Sequence, residues 1–104
     1  MTGTVVSNRS RKMNRLRKFK PELFILLEIP ERQISEREIS GFLLTYMNKR
    51  SIYNNDGYTA MITLTPQLQK LTGLYMNRLI LTERYKKYVD WWELIRIITK
   101  RWKA

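Results

Sequence analysis

The feature that most constrains the fold is a helical pattern in the middle of the chain. Ser35 and Glu38 have the spacing of a capping box, in which a serine hydroxyl and a glutamate carboxylate satisfy amide groups at a helix start. The apolar residues that follow recur at the spacing of one helical face: Ile39, Phe42, Leu43, Tyr46 and Met47. Such a helix is stable only when other elements cover its apolar face, so the flanking segments must supply the rest of a core.

The flanking segments contain signals for shorter elements. A proline suited to the first turn predicts a short helix within residues 21–30, which a second proline ends. The Asn-, Asp- and Gly-containing segment 54–57 predicts a turn, and the β-branched and aromatic residues of 58–64 predict a short strand. A Thr-Pro start and a glycine stop predict a two-turn helix within 65–73, and a capping pattern begins a final amphipathic helix at 90–102.

These elements predict one compact fold. A chain of 104 residues closes a single core, and the elements favour a mainly α-helical bundle with a small β element, that is, a fold of minor α+β character. The segment 74–89 fits two patterns: residues 74–81 are compatible with an irregular strand or a hairpin, and residues 82–88 with a short exposed helix.

The residue types that are absent exclude several classes of function. The chain contains no histidine and no cysteine, which removes thiolate nucleophiles, histidine-based triads, zinc fingers and disulfides. The acidic residues lie mostly at helix starts and on solvated faces, so we expect no metal site, no cofactor, no small-molecule substrate and no catalysis. The longest apolar run, residues 23–27, is far too short to span a bilayer, and no signal peptide opens the sequence. We therefore expect a soluble intracellular protein.

The net charge of +11 is unevenly distributed along the chain. Residues 1–20 contain seven basic residues and no acidic one, residues 21–77 contain five basic and six acidic residues, and residues 78–104 contain eight basic and three acidic residues. A near-neutral middle between two basic ends predicts a flexible basic arm at 1–18 and a folded domain at 19–104 with a basic C-terminal helix.

The basic ends are the candidate nucleic-acid-binding residues, because polyanions are held mainly by lysine and arginine. The candidates are Arg9, Arg11, Lys12, Arg15, Arg17, Lys18, Lys20, Arg84, Lys86, Lys87, Arg96, Lys100, Arg101 and Lys103. Two other interpretations of the N-terminal segment stay open: a solubilising or nuclear-import tail, and an organellar transit peptide. Among the aromatic residues nearby, Trp91 and Trp102 lie on the apolar stripe of the last helix and are expected in the core, whereas Trp92 lies beside it and is equally compatible with a ligand role.

From residue 19 to the C-terminus the order of elements resembles the SWIB domain, a small fold of chromatin-remodelling subunits that is related to the helix-binding domain of a ubiquitin ligase. The matching stretches are short and mostly hydrophobic: PEL and LLEIP within 21–30, LLTYM at 43–47, NND at 54–56, ITLTPQLQKL at 62–71 and WWELI at 91–95. Thr65 stands at a helix cap where the family usually has aspartate, and the stretch between Gly73 and Asp90 is longer and more basic than expected of the family.

The resemblance implies a non-enzymatic protein of chromatin or transcription assemblies. Some SWIB proteins of organelles, bacteria and large DNA viruses are linked to DNA packaging or topology, so the implied location is the nucleus or another DNA-containing compartment such as a nucleoid, an organelle or a viral particle. Together with the basic ends, it predicts a protein that binds duplex DNA largely without sequence preference.

Two other functions are compatible with the same residues. The first is an interaction module that holds an amphipathic helix of a transcription factor in a hydrophobic groove. Its groove would be lined by Leu27, Leu43, Met47, Tyr75 and Trp92. The second is a small RNA- or ribosome-bound protein, for which a sequence pI near 10.3 is equally natural.

Overall fold

The structure is a computed structural model that describes the backbone of residues 8–57, 59–82 and 89–104. About half of the residues are helical, and a small antiparallel sheet completes an α+β fold. The elements in chain order are α1 (Asn8–Asn14), α2 (Pro21–Leu27), α3 (Glu36–Lys49), β1 (Tyr53–Asn55), β2 (Thr59–Thr63), α4 (Pro66–Thr72), β3 (Arg78–Thr82) and α5 (Val89–Trp102). The predicted combination of helices with a small β element is thus confirmed at the level of the fold class.

The central helix α3 begins at the predicted capping box. The backbone N–H of Glu38 donates to Ser35 Oγ at 3.1 Å, and the backbone N–H of Ser35 donates to Glu38 Oε1 at 3.2 Å. A hydrogen bond from Arg32 to the Glu38 carboxylate, at 2.6 Å, holds the pKa of Glu38 below its ordinary value, and the hydrogen bonds from Ser35 act in the same direction. The apolar face of α3 is buried through Ile39 and Met47, as its periodicity predicts.

The sheet has the strand order β1-β2-β3, with both pairs antiparallel. β1 and β2 form a hairpin whose turn is closed by Asp56, since its Oδ1 accepts from the backbone N–H of Thr59 at 2.7 Å. The predicted turn at 54–57 is wrong in its first half, because Asn54 and Asn55 belong to β1 and pair with β2. Asparagine favours turns when isolated, but here the ladder with β2 satisfies the backbone instead.

Strand β3 lies within the segment 74–89, for which the sequence fits two patterns. Residues 78–82 form a strand that pairs with β2 along its whole length. The exposed helix expected at 82–88 falls on residues 83–88, which lie outside the described residues. The side chain of Asp90, which the predicted capping pattern requires, also lies outside the described residues. Helix α5 begins one residue before Asp90, at Val89.

Residues 17–20 pair with the C-terminal end of the chain and with the segment before α3. The backbone N–H of Lys20 donates to the Trp102 carbonyl at 2.8 Å, and Phe19 and Lys103 form an antiparallel bridge. Arg17 forms a second antiparallel bridge with Ile34, through hydrogen bonds of 2.9 and 3.2 Å. The segment that precedes the predicted domain boundary therefore shares backbone hydrogen bonds with the fold, and residues 1–7 lie outside the described residues.

Helix α5 packs the tryptophans against the rest of the core. Trp102 is buried, as predicted, and its indole Nε1–H donates to the Leu71 carbonyl at 2.6 Å. Trp91 is half-buried, and its Nε1–H donates to Ser40 Oγ at 2.9 Å while its ring packs edge-to-face on Tyr53. In the described ranges, no helix combines the length and the apolar character needed to cross a bilayer.

Candidate nucleic-acid interface

A cleft of about 200 Å³ lies where α1, the start of α3 and α5 come together. Its α5 wall is formed by one helical face, because the contributing residues are spaced by three or four positions and therefore stack along that face. The lining residues are Lys12, Met13, Arg17, Glu36, Arg96, Thr99, Lys100 and Lys103. The cleft thus joins residues from the two basic ends of the sequence, which are more than 75 positions apart.

The cleft is strongly basic, with five cationic side chains and one carboxylate among its lining residues. Four of the cations are exposed and Arg17 is partly buried. Within the described part of the chain, none of the five cations forms an ion pair. The cations that are paired there belong to the near-neutral middle: Arg32 with Glu38, Arg50 with Glu28, and Lys70 with Glu22. The cleft therefore brings together five cations whose charge no described carboxylate neutralises.

Arg17 differs from the other cations of the cleft. Its Nε is buried and has no hydrogen-bond partner among the described residues. The bridge to Ile34 fixes the backbone from which this side chain extends. A buried donor without a partner costs about 1–3 kcal/mol, and more for a charged group.

Not all of the predicted basic residues line the cleft. Arg11, Arg15, Lys18 and Lys20 are exposed elsewhere on the N-terminal segment. Arg101 is also exposed, but its Nε–H donates to the Lys70 carbonyl at 3.0 Å, which directs it towards α4. The remaining predicted residues, Arg9, Arg84, Lys86 and Lys87, lie outside the described residues at the side-chain level.

Arg37 is a residue near the cleft that the sequence did not single out. Its Nε–H donates to Asn14 Oδ1 at 2.7 Å, which ties α3 to the end of α1. The same guanidinium lies 5.9 Å from the Trp92 ring centroid, so it also contacts α5. No local pattern reveals such a residue, because its partners are distant in sequence on both sides. Trp92, for which a core and a ligand role were equally expected, is half-buried beside this arginine.

The five residues predicted to line a partner groove are not brought together on one open surface in the described part of the chain. Leu27, Leu43 and Met47 are buried in the core, Trp92 is half-buried, and Tyr75 is 73% exposed in the loop before β3. The three aliphatic side chains are buried because they lie on the inner faces of α2 and α3.

A different depression, of about 370 Å³, lies between the end of α2 and the second half of α3. Its lining residues are Leu27, Glu28, Ile29, Phe42, Thr45, Tyr46, Lys49 and Arg50. The Arg50 guanidinium covers one side of the depression, since it lies 3.8 Å from the Tyr46 ring centroid and pairs with Glu28. Of the predicted groove residues, only Leu27 reaches this depression.

Among the described residues, no group of three or more acidic side chains is placed to hold a metal ion. Comparisons of the chain with protein-family models, with curated proteins and with solved structures find no match.

Proposed function

We propose that the protein is a non-enzymatic, SWIB-like DNA-binding protein that organises chromatin or transcription assemblies in a DNA-containing compartment. The observation that carries the proposal is the cleft between α1 and α5, where five cations that form no ion pair within the described part of the chain line one surface. Unpaired lysine and arginine side chains on a common surface are the electrostatic footprint of a phosphate-binding protein.

Binding in this form is directed to phosphates rather than to base edges. The cations of α5 lie along one helical face at positions 96, 100 and 103, without the arginine and asparagine pattern by which a helix reads bases in the major groove. Phosphate contacts carry little sequence information, so the protein binds duplexes of different sequence with similar affinity. The SWIB-like part of the proposal is supported by the matching sequence stretches from α2 to α5, and by an α+β fold of suitable size.

The depression between α2 and α3 supports a second candidate function, the binding of an amphipathic helix from a partner protein. Phe42 and Leu27 supply apolar walls, and Lys49 is an exposed cation at its rim. The depression encloses about 370 Å³, near the lower end of the range for ligand pockets, and four of its eight lining residues are apolar or aromatic. Such binding depends on buried apolar surface and survives moderate salt.

Salt titration separates these functions. Fluorescence anisotropy is measured for a labelled 20-base-pair DNA duplex, a structured RNA with the same number of phosphates and an amphipathic helical peptide, each at ~50 and ~200 mM salt. The proposal predicts duplex binding that collapses over this range and does not depend on sequence. Stronger binding to the structured RNA indicates an RNA-bound protein instead. Peptide binding that persists at the higher salt, without duplex binding, replaces the proposal with the second candidate.

A further inference from the structure

We propose that the cleft is a discrete site for one phosphate group and that Arg17 is its anchor. The shared chemistry is a phosphate, either a diester of a nucleic-acid backbone or a free phosphate ion. The inference deepens the proposed function and rests on it where the phosphate belongs to DNA. It separates one ordered contact from the diffuse attraction that any exposed lysine supplies.

The chemistry of Arg17 suits it to hold a phosphate. Its Nε–H is buried without a partner among the described residues, while the backbone on which it stands is fixed by the bridge to Ile34. The planar guanidinium presents its donors in a fork that matches two oxygens of one phosphate. Because Nε itself is buried, the fork offered to a phosphate in the cleft would be that of the two terminal Nη groups of Arg17. Neighbouring Arg15 is exposed and does not line the cleft, so it has neither property.

The volume of the cleft is also consistent with one phosphate group. The cleft encloses about 200 Å³, which is less than the ~300 Å³ of the smaller pockets that bury a whole small-molecule ligand. It is several times the ~30 Å³ that one water occupies in the liquid. A phosphate group with part of its attached sugar is of this size, whereas a stack of bases is not. The ligand is therefore a single phosphate entering from the surface, with the rest of the nucleic acid outside.

The charge around Arg17 adds to this site. Lys12 on α1 and Lys100 and Lys103 on α5 are exposed around the cleft, so their ammonium groups contact neighbouring phosphates of the same backbone while Arg17 holds the phosphate that enters the cleft. Glu36 is the single acid of the lining, and it is buried with 8% of its surface exposed. Its carboxylate opposes a phosphate by like-charge repulsion, so Glu36 limits the affinity of the site.

A charge-conserving pair of variants tests the anchor. R17K keeps the positive charge but removes the Nε donor and the fork, and R15K makes the same exchange at an exposed position outside the cleft. We expect R17K to weaken duplex binding at ~100 mM salt about tenfold, because a hydrogen bond to a charged group is lost. We expect its salt slope to stay unchanged, because the number of cations is the same. R15K should bind within twofold of the original protein.

A second variant gives a signal of opposite sign. E36Q removes the negative charge from the cleft at nearly constant volume, so duplex affinity should rise about threefold or more at low salt. Amide chemical shifts of the full chain, titrated with inorganic phosphate, should move at Arg17, Ile34 and Thr99, and E36Q should need a lower phosphate concentration for half of the change. These measurements also decide the question if R17K lowers the melting temperature so far that its binding cannot be compared.

The results separate the inference from the function on which it rests. If the original protein binds duplex and R17K, R15K and E36Q all bind equally, the anchor site is refuted while DNA binding stands. If duplex does not bind but inorganic phosphate moves the cleft resonances, the site stands as a site for free phosphate and the proposed function is refuted. If phosphate moves no cleft resonance and R17K equals R15K, there is no discrete site.

Discussion

The strongest test of the basic cleft removes three of its charges without disturbing the fold. Lys12, Lys100 and Lys103 are exposed lining residues, so K12Q/K100Q/K103Q keeps side chains of similar length and removes only positive charge. A matched control, K49Q/K70Q/R78Q, removes the same charge from exposed cations that do not line the cleft. Because surface substitutions usually change the free energy of unfolding by less than about 0.5 kcal/mol, both variants should fold.

The magnitude follows from counterion release. Each phosphate contact contributes about −0.9 to the slope of log K against log salt concentration, so five cleft cations contribute about −4.5 and the two that remain contribute about −1.8. At 0.1 M salt the loss of three contacts corresponds to roughly 500-fold weaker duplex binding. The control should change the slope by less than about 1, since its side chains are not expected to touch phosphates.

The assay is fluorescence anisotropy of a labelled duplex over 50–200 mM salt, with circular dichroism to verify that both variants are folded. Equal loss of slope in the two triple variants would rule out the cleft as the binding surface, because binding would then follow net charge alone. A slope for the unmodified protein much shallower than about −4 would also contradict simultaneous contact by the five cations.

The remaining predictions concern stability. G73A should lower the free energy of unfolding by about 1 kcal/mol, because Gly73 ends α4 at φ 75°, a backbone conformation that alanine disfavours. G41A should instead raise the free energy of unfolding by about 0.5–1 kcal/mol, because Gly41 lies inside α3 with open space at the Cβ position. Urea unfolding measures both changes. W102F should lower the free energy of unfolding by about 1–3 kcal/mol, because the buried carbonyl of Leu71 in α4 loses its hydrogen-bond donor. An unchanged urea midpoint would contradict this prediction. The hydrogen bond from Arg32 holds the pKa of Glu38 below 4.5. The stability that the ionised carboxylate contributes is therefore present above that pH and is lost as the pH falls through the lowered pKa. E38Q should therefore reduce the fall in melting temperature on the acid side of a plot of melting temperature against pH. An unaltered plot would contradict a stabilising role for the Arg32–Glu38 pair.

Local patterns were sufficient where the physical cause is local. The capping box of Ser35 and Glu38, the apolar face of α3 and the Thr65 cap of α4 each depend on residues within one or two turns, and each is present in the structure. The prediction of a turn at 54–57 is wrong in its first half, because pairing with β2 outweighs the turn preference of Asn54. That competition involves a strand partner, which local preference does not contain.

The site shows the same division between local and distant causes. The uneven charge of the sequence identifies which ends of the chain carry the cations, but not that Lys12 and Lys100 share one cleft. Nor does it separate Arg17, whose Nε is buried, from the exposed Arg15 two positions earlier. The predicted partner groove rests on apolar residue type, and apolar type does not distinguish a buried side chain from one that lines an open surface.

The amino-acid sequence alone is sufficient to predict the helix starts, the single core, the excess of positive charge at both ends and the absence of histidine and cysteine chemistry. These properties are set by residue type and by short spacing, which are both written in the chain. The tertiary structure decided that the two basic ends meet, because backbone pairing of residues 17–20 with Ile34 and with the end of α5 brings α1 beside α5. Contacts between residues so distant in sequence depend on how all elements pack together, and the location of the cleft is a consequence of that packing.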